Sequence, residues 1–173
     1  MDKVVFEFND YERICKITEM NKGKRAILTK LEIMYVEDAY SSDYLITELD
    51  YVNKKVLRSD RYSNADIENY GWDTVKKWVE DDMSRLKKYG IDWYSLGIIA
   101  SATILIPFRT FTYEDGKEKK TWNFKMQGIT SGGVWGIESD SEDKYILNEE
   151  VRQIEELKEY LRILNVDMSL LEE

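Results

Sequence analysis

The residues whose types and spacing best suit chemistry lie in one short stretch, "GGVWGIESDSED", residues 132–143. Trp135 stands between glycines, and four carboxylates follow it: Glu138, Asp140, Glu142 and Asp143. Carboxylates at this density can bind a cation, begin a helix or face a basic partner. Each possibility predicts a different function.

A calcium loop that began at Glu138 would place Asp140, Glu142 and Glu149 at further ligand positions of an EF-hand. However, the sixth position of that loop needs glycine and here is Asp143. The residues before Glu138 are also strand-like, whereas an EF-hand requires a helix there. The sequence therefore predicts no metal site.

The start of a helix explains the carboxylates better. Ser139 and Glu142 fit the S-x-x-E capping box, and acids in a first turn interact with the helix dipole by about 0.3–1 kcal/mol each. For Trp135, a buried core position is favoured over an exposed anchor, because large aromatic side chains are mostly buried.

Histidine is absent from all 173 residues. This excludes Ser-His-Asp and Cys-His catalysis and histidine-ligated zinc. Carboxylate pairs remain, of which Glu138 and Asp140 would share one face of an extended segment, whereas Asp81 and Asp82 would diverge on a helix. We therefore expect a non-enzymatic protein without a cofactor, with a carboxylate-based or metal-dependent hydrolase as the alternative.

The net charge of −9 is uneven along the chain. Residues 1–136 hold 22 acids and 21 bases, whereas residues 137–173 hold 12 acids and four bases, a net of −8. Such a segment repels nucleic acid and anionic membranes and attracts basic surfaces. The charge predicts a basic protein partner and no direct binding to nucleic acid.

The chain shows no signal peptide and no apolar run of the roughly 20 residues that span a bilayer. Cys15 is the only cysteine, which agrees with a reducing compartment. We expect a cytoplasmic protein that does not contact a membrane, and favour a monomer.

The elements that must position these residues follow from hydrophobic periodicity. Strands are predicted near residues 3–8, 13–18, 27–36 and 96–106, with Pro107 closing or bending the last. A hairpin is predicted to turn at Glu114-Asp115-Gly116, and helices are predicted over residues 45–56, 72–89 and 145–164. Residues 45–56 also fit a strand, and residues 58–66 read as a polar loop. The predicted fold is a single α+β domain, residues 1–173, with an antiparallel sheet of about four to six strands and two or three helices on one face.

The last predicted helix is amphipathic and acidic. One buried stripe is expected to contain Leu147, Val151, Ile154, Leu157, Leu161 and Leu164. The glutamates of this helix would then lie on its flanks and outer side.

Three segments resemble a group of small acidic proteins of bacteriophages and mobile elements: "CKITEMNKGKRAILTKLEIMYVEDAY", "IENYGW" and "ITSGGVWGIESDSEDKYI". The resemblance covers about residues 14–165. It implies a bacterial host cytoplasm and a role like that of inhibitors of host defence, including anti-CRISPR and antirestriction proteins. It implies no catalytic residue.

Together, charge and resemblance predict an inhibitor that binds a basic nucleic-acid-binding host protein, such as a defence nuclease, and competes with DNA or RNA. A phage adaptor or structural protein is a further alternative. The predicted partner-binding residues are Trp135, Glu138, Asp140, Glu142, Asp143, Tyr145, Glu149, Glu150, Glu155, Glu156, Glu159 and Tyr160.

Overall fold

The computed structural model describes residues 2–40 and 46–172 and confirms the predicted α+β class. The strands are β1 (Lys3–Glu7), β2 (Ile27–Tyr40), β3 (Glu48–Asp50), β4 (Lys55–Arg58), β5 (Tyr94–Glu114), β6 (Lys117–Thr130) and β7 (Val134–Glu138). The helices are α1 (Tyr11–Met20), α2 (Asn64–Tyr70), α3 (Trp72–Tyr89) and α4 (Asp143–Ile163). Short 3₁₀ turns cover Gly90–Asp92 and Ser169–Glu172.

The main sheet has the strand order β1-β2-β5-β6, and β7 also pairs with β5. β5 and β6 form a long antiparallel hairpin that runs from Ser101 opposite Thr130 to Glu114 opposite Lys117. β3 and β4 form a separate two-stranded sheet. β5 was predicted to close or bend at Pro107, but the strand continues through it, with Pro107 opposite Phe124.

The chain divides into two compact units. Unit 1 comprises Met1–Tyr35, Ile98–Val134 and Asp143–Glu173, and unit 2 comprises Val36–Gly97 and Trp135–Glu142. The single domain over residues 1–173 stays a prediction.

In unit 1, α1 occupies a segment that was predicted to be extended. Asp10 caps the helix by accepting a hydrogen bond from the Arg13 backbone N–H at 3.1 Å. Ile14 and Thr18, one turn apart, are both buried. The cap and this helical spacing outweigh the strand-like composition of residues 13–18, so the strand prediction was wrong.

Unit 2 corrects a second prediction, because the helix expected over residues 45–56 is the β3–β4 hairpin. Asp50 Oδ1 accepts hydrogen bonds from the backbone N–H groups of Val52 and Asn53, at 3.0 and 2.9 Å, which folds the chain into a turn. Leu45, the first residue of the predicted helix, lies outside the described residues. Val56 packs in the core with Val75 and Val79 of α3.

In unit 2, α3 was predicted from the sequence and α2 was not. The polar loop expected over residues 58–66 contains the start of α2, where Ser63 and Asp66 form a reciprocal capping box. α3 confirms the predicted helix over residues 72–89. Its buried side is completed by Asp82, whereas the neighbouring Met83 is exposed.

α4 confirms the predicted C-terminal helix, but the buried side of the helix is not the side that was predicted. Glu150 and Gln153 are 6% and 1% exposed, whereas Leu147 and Val151 are 52% and 53% exposed. Leu157 and Leu161 are buried as predicted, and Leu164 is exposed. The predicted stripe is therefore wrong for the first half of the helix, because hydrogen-bonding partners stabilise the two polar side chains inside.

Those partners lie in unit 1. Gln153 Oε1 accepts hydrogen bonds from the Ser131 hydroxyl at 2.7 Å and from the Gly133 N–H at 3.1 Å. Glu150 accepts hydrogen bonds from the hydroxyl of Tyr35 and from the ammonium of Lys3. No helix of the described residues has the length and apolar character that a membrane crossing requires.

Candidate functional site

Trp135 lies on β7 in unit 2, and its indole covers the backbone of Gly97. A Cβ at Gly97 would lie 2.5 Å from Trp135 Cε3, so only glycine fits beneath the ring. Gly136, which follows the tryptophan, has a φ of 75°. Trp135 is 50% exposed, so one side of the ring packs on the chain and the remainder meets solvent. The buried core position that the sequence favoured was wrong.

Glu138 and Asp140 both bind Arg85 of α3. Arg85 Nη1 lies 2.5 Å from Glu138 Oε2, and Arg85 Nε lies 3.1 Å from Asp140 Oδ2. Arg61 Nη2 lies 3.3 Å from the other oxygen of Glu138. A shared guanidinium group therefore joins Glu138, at the end of β7, to Asp140 in the turn that follows.

Asp82 adds a buried carboxylate to this arrangement. The Tyr62 hydroxyl donates a hydrogen bond to Asp82 Oδ2 at 2.6 Å, and Arg61 Nε lies 3.5 Å from the same oxygen. Burial raises the pKa of Asp82 above its ordinary value, and Tyr62 and Arg61 oppose that rise. Burial and the bond to Asp82 also raise the pKa of the Tyr62 hydroxyl.

We call these six side chains the arginine cluster: Arg61, Tyr62, Asp82, Arg85, Glu138 and Asp140. The cluster also contacts the buried Trp93. The centroid of its ring lies 5.2 Å from the guanidinium carbon of Arg85. A groove of about 360 Å³ opens beside it, lined by Arg61, Tyr62, Trp78, Asp81, Asp82 and Arg85. With three carboxylates and two guanidinium groups, the cluster is suited to binding through charge and hydrogen bonds.

The geometry of the loop after Glu138 differs from both a calcium loop and a capping box. The Ser139 hydroxyl accepts a hydrogen bond from the Tyr94 N–H at 3.1 Å, and α4 begins at Asp143, so Ser139 does not cap the helix. Among the residues that the structure describes, no three acidic or cysteine side chains form a group that could hold a metal ion.

The predicted partner-binding residues divide between the two units. Trp135, Glu138, Asp140 and Glu142 belong to unit 2, and the others belong to unit 1. On α4, three acid–base pairs join residues three apart: Glu149 with Arg152, Glu155 with Lys158, and Glu159 with Arg162. Each pair partly neutralises the acidic surface that was predicted there.

The remaining predicted residues of α4 have different environments. Tyr145 and Tyr160 are about half exposed, and the Tyr160 hydroxyl donates to Glu156 at 2.8 Å. Glu156 also accepts from the Gly132 N–H. Glu150 is buried and not on the outer side. Binding of a partner by this set stays a prediction.

Three members of the arginine cluster, Arg61, Tyr62 and Arg85, were not predicted from the sequence, and Asp82 was considered only as a pair with Asp81. They lie more than 50 positions from Glu138, and no local pattern links them to it. One usable signal was Asp82, a charged residue at the position that continues the apolar side of α3 after Val75 and Val79.

The two units also divide the charge differently from the two ends of the sequence. Unit 2 holds 16 acids and nine bases, a net of −7, and unit 1 holds 18 acids and 16 bases, a net of −2. Most of the acidic excess therefore belongs to unit 2.

Comparison of the chain with models of protein families, with curated proteins and with solved structures finds no match.

Proposed function

We propose that this protein is a non-enzymatic inhibitor that binds a basic nucleic-acid-binding protein of a bacterial host, of the anti-CRISPR or antirestriction type. The acidic surface of unit 2 occupies the Lys and Arg side chains that otherwise contact phosphates. It acts in the host cytoplasm, as a phage or mobile-element protein would.

The observation that carries this proposal is the charge of unit 2, a net of −7. A field of this sign attracts a positively charged channel from a distance and accelerates association, and salt weakens the effect. Exposed carboxylates of the described part of unit 2 that form no ion pair include Glu48, Asp60, Glu68, Asp73, Asp81, Asp92 and Glu142. They remain available for the ammonium and guanidinium groups of a partner.

Trp135 would add an apolar contact to the acidic surface of unit 2. A half-exposed indole fixed on Gly97 contributes contact area while losing little conformational freedom when a partner covers it. The arginine cluster holds β7 against α3 through Glu138 and Asp140, so the tryptophan is presented from an ordered strand.

The experiment compares two triple variants with the same net charge. Glu68→Gln, Asp73→Asn and Asp81→Asn neutralise exposed acids of unit 2, and Glu7→Gln, Glu12→Gln and Asp115→Asn do so in unit 1. Each triple variant removes one acid from the first turn of a helix, so the effects on helix dipoles are matched.

Tagged wild-type protein is incubated with lysate of a bacterium that carries defence systems, washed at low and high salt, and its partners are identified by mass spectrometry. We expect one nucleic-acid-binding protein, released by high salt or by competing DNA, and a several-fold lower yield with the unit 2 variant only. Equal yields from both variants would contradict the use of unit 2. Capture of no such salt-sensitive protein would contradict the proposed function itself.

A further inference from the structure

A second surface, in unit 1, has the opposite character from the acidic surface of unit 2. It is a groove between α1 and β6, with a volume of about 630 Å³, lined mostly by apolar atoms. Its walls are Tyr11, Cys15, Lys16, Glu19 and Met20 of α1 and Lys120, Thr121 and Trp122 of β6. This volume falls in the range of sites for small organic molecules, about 300–1,000 Å³.

The aromatic wall of the groove is fixed before any ligand binds. A Cβ at Gly23 would lie 2.2 Å from Trp122 Cη2, so the indole packs directly on the backbone of the turn after α1. The Tyr11 hydroxyl donates to the Trp122 carbonyl at 3.2 Å, and the Tyr11 ring meets Phe124 edge to face at 5.7 Å. A ligand would therefore meet an ordered surface, which lowers the entropy cost of binding.

The only carboxylate in the lining is already occupied. Glu19 accepts a hydrogen bond from the Trp122 indole N–H and lies 3.3 Å from Arg109 Nη2. The guanidinium carbon of Arg109 lies 4.4 Å from the Trp122 ring. These contacts hold Glu19 at one side of the indole and neutralise its charge.

The lysines leave the groove with a net positive rim. Lys120 pairs with Glu118 at 3.2 Å, whereas Lys16 is exposed and forms no ion pair or hydrogen bond with the described residues. Met20, at the mouth, is 83% exposed, and its unbranched thioether can adapt to ligands of different shape. The groove thus offers an apolar surface beside a positively charged one. These two surfaces complement a ligand that has an apolar body and an anionic group.

We propose that the groove between α1 and β6 is a binding site for a small amphipathic organic anion. Its flat apolar body lies on Trp122, Tyr11 and Met20, and its acidic group pairs with Lys16. The lining of the site belongs to unit 1, and its test does not depend on the protein partner proposed for unit 2.

Two naphthalene probes of almost the same shape test the proposal with the full chain. Anilinonaphthalene sulfonate carries an anionic group, and phenylnaphthylamine has the aromatic body without it. We expect saturable binding of one sulfonate probe per chain, measured by fluorescence titration, and several-fold weaker binding of the neutral probe.

Lys16→Gln should weaken the sulfonate probe several-fold and leave the neutral probe unchanged, because it removes only the cationic contact. Met20→Glu should weaken both probes, because it places a charge at the mouth on a side chain too exposed to affect folding. Lys144→Gln, an exposed lysine of α4 outside the lining, is the matched control and should bind both probes like the wild type.

Cys15 reports on the location of the probe, because it lines the groove and is the only cysteine in the chain. Saturating sulfonate probe should slow the reaction of Cys15 with a soluble disulfide reagent several-fold. Unsaturable binding, equal affinities in Lys16→Gln and wild type, or an unprotected Cys15 would overturn the proposal. A Cys15 reaction that slows with protein concentration alone would assign the groove to a second copy of the chain and also overturn it.

Discussion

Asp82 is a carboxylate that the fold removes from water, on the same side of α3 as Val75 and Val79. Its partners, Tyr62 and Arg61, lie near enough to stabilise the charge, yet burial still raises the pKa. A buried carboxylate with a raised pKa binds its proton more readily in the folded protein than in the unfolded chain. Ionisation of Asp82 should therefore make the stability of the fold depend on pH.

The sign of that dependence follows from the direction of the shift. Below the unfolded pKa of about 3.9, Asp82 is neutral in both states, and its contribution to the free energy of unfolding is at its maximum. This contribution falls as the pH rises through the raised folded pKa. Asp82→Asn keeps an oxygen that accepts the Tyr62 hydrogen bond but cannot ionise, so it lacks this fall. Urea unfolding at several pH values should show wild-type stability declining relative to the variant as pH rises.

Asp81→Asn is the control for this experiment, because Asp81 is the neighbouring carboxylate on α3 and is exposed. Loss of this exposed charge should not reproduce the effect of Asp82→Asn. A flat profile for Asp82→Asn would contradict the assignment of a raised pKa to the buried carboxylate.

At the scale of elements, α4 shows how hydrogen bonds can override hydrophobic periodicity. The Ala100 N–H donates to the Ser131 hydroxyl at 3.0 Å, and that hydroxyl donates to Gln153, which also accepts from Gly133. This chain of bonds satisfies the backbone N–H groups of Ala100 and Gly133 and faces Gln153 inward. The apolar Val151 then lies in solvent.

Two substitutions on α4 distinguish the observed helix orientation from the one that periodicity predicted. Gln153→Leu should lower the free energy of unfolding by about 1–3 kcal/mol, because it leaves the Ser131 hydroxyl and the Gly133 N–H without an acceptor. Val151→Gln should change it by less than about 0.5 kcal/mol, because the side chain is exposed. The reverse order in a chemical denaturation experiment would support the predicted stripe instead.

Elements with strong local signals were predictable from sequence. α3 has an apolar repeat that ends at Gly90, and the β5–β6 hairpin turns at Asp115-Gly116, where both residues have positive φ. α1 and the β3–β4 hairpin were missed because their periodicity was ambiguous over few residues. The deciding contacts there are the Asp10 cap and the Asp50 turn, which are single side chains.

Only part of the candidate site could be predicted, because its members lie far apart along the sequence. The local cluster of acids indicated Glu138 and Asp140, and half-exposed Trp135 is near them in the chain. Their partner Arg85 is 53 positions from Glu138, and its role depends on the packing of α3, which the sequence does not encode locally.

At the level of the whole chain, the main feature is that unit 2 is built from two segments that are not contiguous in the sequence. Unit 2 is assembled from Val36–Gly97 and from Trp135–Glu142, with the long hairpin between them in sequence. The second segment supplies Glu138 and Asp140 to Arg85, and the buried side chain of Ile137. Unit 2 is therefore incomplete until residues that follow the hairpin in the sequence have joined it.

A fragment of residues 36–97 should consequently fail to fold, because Arg85 lacks Glu138 and Asp140, Arg61 lacks Glu138, and β5 lacks β7. Joining residues 135–142 to this fragment through a Gly-rich linker should restore helical circular dichroism and a cooperative thermal transition. The same linked fragment with Glu138→Gln and Asp140→Asn is the matched control and should melt at a lower temperature. Cooperative unfolding of the unlinked fragment would contradict the assembly of unit 2 from both segments.

The turn at Asp115-Gly116 has a practical consequence for these experiments. Both residues are exposed, they join strands that are paired up to the turn, and neither lines the groove beside Trp122. Exposed turns of this kind tolerate inserted sequence. An affinity peptide placed between Asp115 and Gly116 would therefore immobilise the chain by its hairpin without changing any residue of unit 2 or of the groove beside Trp122.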